Sequence, residues 1–113
     1  MDRKEIEAGF TSSWLSATLG VDPVAIEARR RSGELVAYRP EGESAWVYPA
    51  WQFGSDGDVR PEVQEVLARA REAGVRGDQV FELLASRVGM TDDRRLADLL
   101  LAGELDAVLA RLA

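Results

Sequence analysis

At 113 residues the chain has room for one hydrophobic core and too little for two independent ones, and 46% apolar with 30% charged residues argues against disorder. It contains no cysteine and no histidine, which removes disulfides, zinc–thiolate sites, a thiol nucleophile and the usual general base. The net charge is −6, and residues 1–60 and 61–113 each hold ten acids and seven bases. Acid is therefore in excess in both halves, so nucleic-acid binding needs a concentrated local patch of base.

The opening "MDRKEIEAGF" has no apolar signal core, and no apolar run approaches the ~18 residues of a membrane span. A soluble cytoplasmic protein without membrane partners is expected. Thr11, Ser12 or Ser13 can cap a helix that runs through Leu19, with Gly20 as its stop. Asp22 as N-cap and Pro23 at the first position start a second helix, which runs to Arg31 and ends at Ser32-Gly33. Two short helices joined by "GVD" have the layout of a helix-turn-helix. "LVAYR" and "AWVYP" are strand-like, and "PEGES" between them supplies turn chemistry, which predicts a hairpin wing.

"YPAWQF", residues 48 to 53, is neither regular helix nor regular strand, yet it holds three aromatics. Its neighbours are Asp56 and Asp58, whereas stacking platforms for bases usually lie in basic grooves. Trp51 and Phe53 are therefore expected to fold back as a seam between two halves, each large ring burying on the order of 150–250 Å². After "GSDGDVRP" the pattern is helical to the end. Val63, Val66, Leu67 and Ala70 form one apolar stripe, and Val80, Leu83 and Leu84 a second. Leu96, Leu99 and Leu100, then Leu105, Val108, Leu109 and Leu112, complete about four short helices punctuated by glycines. Three consecutive leucines, 99 to 101, exceed one core-facing stripe, so one of them should point outward, where a partner could dock. The fold class expected is mainly α with a small β-hairpin. A winged helix-turn-helix over residues 1–50 and a C-terminal helical bundle over 51–113 should form one compact unit.

Catalysis is not expected. "DGD" at 56–58 fits a turn, and a calcium loop starting at Asp56 would need Glu where Leu67 stands. No phosphate-binding Gly-Lys-Thr loop and no serine elbow occur, and no cofactor or metal is called for.

A DNA-contacting surface would use Arg29, Arg30, Arg31 and Arg39, between which only Glu34 opposes, because guanidinium forks suit phosphates and guanine edges. Val24, Ala25, Glu27 and Ala28 would face the groove, although small and acidic side chains read bases poorly, and Glu41 and Glu43 at the wing tip would repel phosphates. The alternative for the three-arginine run is a solvated helix end that complements the helix dipole.

Two resemblances add to this reading. Leu19-Gly20-Val21, Ile26 and Ser32-Gly33-Glu34-Leu35 give residues 12 to 48 a pattern similar to the winged helix-turn-helix of excisionase and MerR-like proteins. "YPAWQF" with Gly57, Val59 and Pro61, together with "DLLLAGELDAVLARLA" at 98 to 113, resembles the toxin-binding domain of Xre/MbcA/ParS-like antitoxins. Where that family has Gly-Arg-x-Pro before Asp-Leu-Leu, this chain has Asp93-Arg94-Arg95-Leu96. The second resemblance implies an antitoxin that covers the active site of a RES-domain, NAD-consuming toxin and represses its own promoter, commonly as a homodimer. It also implies a toxin-facing surface that includes Arg94, Arg95, Asp98, Leu101, Glu104, Asp106, Arg111 and Leu112. The rival is a stand-alone DNA-binding transcription regulator with no toxin.

Overall fold

The computed structural model describes residues 1–112; Ala113, the last residue of the antitoxin-like stretch, lies outside the described residues. Among the described residues, two two-residue strands and seven α-helices make the fold mainly α with a small β element.

Asp2 caps α1 (Arg3–Glu7) by accepting from Glu5 N, and the helix buries Ile6. The chain then forms β1 (Gly9–Phe10), and Thr11 Oγ1 accepts from Trp14 N to start α2 (Ser12–Leu19). Gly20 ends α2 in the left-handed region at φ 69°, which a residue with a Cβ adopts only at a cost. Asp22 accepts from Val24 N at 2.8 Å and Pro23 opens α3 (Pro23–Arg31), matching the bounds expected from the sequence. Leu15 of α2 and Ile26 of α3 close the angle between the two helices.

The wing is reduced relative to the expected hairpin. Tyr38 and Val47 form one antiparallel bridge, exchanging hydrogen bonds of 3.0 and 2.8 Å. The two strand-like runs fail to zip further because their backbone groups are engaged elsewhere. Val36 N–H and C=O are held by the side chain of Gln52, and β2 (Tyr48–Pro49) pairs with β1 in the register Gly9–Pro49 and Phe10–Tyr48. Gly9 is needed there, since a Cβ would collide with the Tyr48 carbonyl.

A 3₁₀ turn (Ala50–Gln52) carries the aromatic segment inward. Trp51 is buried and its Nε1 donates to Ile6 O at 3.0 Å, while the Phe53 ring lies 6.2 Å from that of Phe10. Gln52 is fully buried with its amide satisfied by Val36 and Pro49.

Pro61 starts α4 (Pro61–Glu72), followed by α5 (Gly77–Ala85), α6 (Leu96–Leu101) and α7 (Leu105–Leu109). The apolar stripe of α4 packs against the other three. Phe81 of α5 is fully buried and stacks on Tyr38 of the wing at 4.3 Å between ring centroids. Leu15, Ile26, Leu35, Tyr48 and Trp51 belong to the same buried cluster as Leu67, Leu84, Leu100 and Val108, so the winged half and the helical half share one core. No helix among the described residues is long and apolar enough to cross a membrane.

Candidate nucleic-acid interface

The surface at issue begins with α3. Its inner face buries Ile26, and at 3.6 residues per turn the opposite face carries Val24, Ala28 and Arg31, with Ala25 and Glu27 beside them. Val24 is 69% exposed, which leaves an apolar side chain in water at the N-terminal end of the helix. Glu27 and Arg31 approach to 3.8 Å along that face, so the carboxylate partly neutralises one arginine.

The arginine run does not act as one patch, because successive helix positions point about 100° apart. Arg31 stays on the outer face. Arg29 goes to one flank, beside Glu34, Val59 and Leu67. Arg30 goes to the other, where its Cζ sits 4.2 Å from the centroid of Trp46. Arg39 of the wing approaches the same indole at 5.3 Å. Wing and α3 thus meet through two cations and one aromatic ring, a contact stabilised by the ring's quadrupole. Glu41 and Glu43 lie exposed at the wing tip, as expected.

Behind this contact, Arg30 Nε and Tyr48 Oη are buried near one another, and neither makes a hydrogen bond of ordinary geometry among the described residues. Burial pushes the Tyr48 phenol above its ordinary value, and the neighbouring Arg30 guanidinium pulls in the opposite direction. Arg71, from the end of α4, reaches across to α3 and donates from Nη1 to Gly33 O at 2.8 Å. Together with Arg30, Arg31, Arg76 and Trp46 it borders an open cavity of about 380 Å³. Sequence reasoning missed Trp46, Arg71 and Arg76. Trp46 was legible only as a strand former, and the other two stand apart in the helical half with no motif around them.

The residues expected to face a toxin separate into two groups. Arg95, Asp98 and Leu112 are engaged by this chain's own structure. Asp98 accepts from the Met1 ammonium at 2.6 and 2.8 Å and from Arg95 N at 2.8 Å. Arg95 donates to Met1 O at 3.1 Å and to Ala85 O, and Leu112 is buried in the core. Partial burial works to raise the Asp98 carboxyl, but the Met1 ammonium and the Arg95 N–H outweigh it and hold it below its ordinary value. Arg94, Leu101, Glu104, Asp106 and Arg111 stay at the surface. Arg94 forks onto Asp92 at 2.8 Å, which lowers that carboxyl and raises the guanidinium. Of the three leucines, 99 and 100 are buried and Leu101 is 37% exposed.

No metal-binding cluster of acidic side chains occurs among the described residues. No protein-family model matches this chain, and no curated protein matches it. Among solved structures, the NMR structure of Rv2175c superposes with a TM-score of 0.72 at 24% sequence identity, covering 99% of this chain and 82% of that one. At that identity the likeness establishes a shared fold across nearly the whole length of this chain.

Proposed function

We propose that this chain is a cytoplasmic DNA-binding protein that sets α3 in the major groove and flanks it with arginines of the helix end and wing. One observation carries the reading. Among the described residues nothing covers the outer face of α3, including a Val24 that is 69% exposed, while Arg30, Arg31 and Arg39 of the wing gather near Trp46 at its C-terminal end in a chain of net charge −6. Val24 and Ala28 suit the methyl groups of thymines, and the arginines suit phosphates. Apolar and small side chains read few bases, so phosphate contacts dominate affinity and a two-fold dimer would double them.

The test is binding of a labelled duplex that spans the DNA upstream of the protein's own gene, followed from about 50 to 200 mM salt. Affinity that falls steeply with salt supports the proposal. No binding at the lowest salt, to this duplex or to an unrelated one, overturns it.

A second reading, the antitoxin of a RES-domain toxin, is favoured by Leu101. This side chain borders a groove of about 730 Å³ with Pro61, Glu65, Ala68, Gly103 and Leu105, within the region that resembles a toxin-binding domain. Co-expression with the adjacent gene, while cellular NAD is followed, tests it. A neighbour that is harmless alone, or that stays harmful beside this chain, removes it.

A further inference from the structure

Among the described residues eight of the 14 basic side chains enter no ion pair, and Arg30, Arg39 and Arg71 are three of them. These three arginines come from α3, the wing and α4, and they converge around Trp46 and Gly33. Two more, Arg31 and Arg76, stand at the rim of the cavity that Arg30 and Arg71 line.

Acid is present but insufficient. Asp78 lies 3.5 Å from Arg76 Nε, and Glu27 lies 3.8 Å from Arg31. Each carboxylate offsets one guanidinium; Glu34, Glu62 and Glu65 share neighbouring hollows with Arg71 and close no ion pair with it, which leaves Arg30 and Arg71 unpaired at the cavity. Arg39, in the adjoining hollow, faces Glu82 and Asp78 without closing an ion pair with either. Like charges around one cavity repel, and an anion seated between them would relieve that repulsion.

The kind of anion follows from shape and position. The cavity is open, and Arg31 joins it to the outer face of α3 that carries Val24 and Ala28. A DNA strand bordering a groove that holds α3 must pass the end of that helix. Guanidinium forks on both sides of the passage match phosphodiester oxygens.

We propose that Arg71 and Arg76, from the helical half, form a DNA-backbone phosphate site with Arg30 and Arg31, so that the bundle grips DNA alongside the winged half. Trp46 is the buttress that fixes Arg30. This inference rests on the DNA-binding reading above and extends it to residues far from the helix-turn-helix in sequence.

The experiment measures duplex affinity against salt for the wild type, Arg76→Gln, Arg71→Gln and the double variant. Arg87→Gln, exposed in the loop after α5, serves as the control. Each cavity substitution should lower the slope of log affinity against log salt by about 1 and leave sequence preference intact. Arg87→Gln should change neither. Arg71 also holds Gly33, so its variant is compared only if its thermal transition matches the wild type; Arg76 pairs only with a surface aspartate and carries the test alone otherwise. Wild-type binding with an unchanged slope in Arg76→Gln overturns this inference and leaves the DNA reading standing. Absence of wild-type binding overturns both. A parallel titration with inorganic phosphate separates sources, since thermal stabilisation by phosphate without duplex binding would make the cavity a site for a free anion and refute the backbone contact.

Discussion

Gln52 stands in for a missing β-strand beside Val36. Its Oε1 accepts from Val36 N and its Nε2 donates to Val36 O, both at 2.8 Å, in a fully buried position. Replacing it with leucine keeps the bulk and takes a partner from three backbone groups, Val36 N, Val36 O and Pro49 O, a buried group left without a partner costing ~1–3 kcal/mol. Gln52→Leu should therefore lower stability by about 2–5 kcal/mol, read as a shifted urea midpoint at constant m-value. A loss below ~1 kcal/mol would mean that water reaches Val36.

Trp51 ties the 3₁₀ turn to α1 through its bond to Ile6 O. Trp51→Phe removes the donor and part of the ring volume, with an expected cost of about 1–3 kcal/mol. Hydrogen exchange should show faster opening of residues 3–7 than in the wild type. Unchanged protection of Ile6 would show that α1 is anchored by packing alone.

Acid should weaken the fold through two aspartates. Asp98 and Asp92 both titrate below the ordinary 3.8 in the folded state. A depressed folded-state value means that the charged form favours folding above 3.8 and that this contribution is lost as pH drops through the lower value. Urea midpoints should fall along the acid limb below 3.8, and Asp98→Asn should flatten that limb. Superposable limbs for variant and wild type would rule Asp98 out as a contributor.

The outer face of α3 can be altered without harm to the core. Val24→Glu places a carboxylate where a phosphate-lined groove would lie, and at 69% exposure it should change stability by less than about 0.5 kcal/mol. Duplex affinity should drop at least tenfold in anisotropy titrations, about 1.4 kcal/mol. Full affinity in this variant would place the DNA somewhere other than α3.

Leu101→Asp makes the corresponding cut on the helical half. The side chain is 37% exposed, so the fold should survive with a loss of ~1 kcal/mol or less. If the groove beside α4 seats a protein, co-purification of that partner should fail while duplex binding persists. Retention of the partner would remove the groove from consideration.

Legibility in the sequence followed the range of the interactions. Thr11, Gly20, Asp22 and Pro23 act within a turn of where they stand, so α2 and α3 could be read residue by residue. The stripes of α4 to α6 were legible for the same reason. The two strand-like runs do meet, at Tyr38 and Val47, but the composition of "LVAYR" says nothing of Gln52, 16 residues beyond Val36, which holds the backbone there and keeps the wing short. β1 went unread, since two residues give no alternation and Gly9 is defined by the Tyr48 carbonyl it must clear. Arg71 and Arg76 reach the end of α3 only through the docking of α4, which no local pattern encodes.

The stacking of Tyr38 on Phe81 bears on how such a protein can be inherited. A ring from the wing completes the bundle's interior, and the bundle's ring in turn supports the wing. Cutting the chain between the two would bare a ring that the other portion now covers, so the exchange of either one alone carries a packing cost.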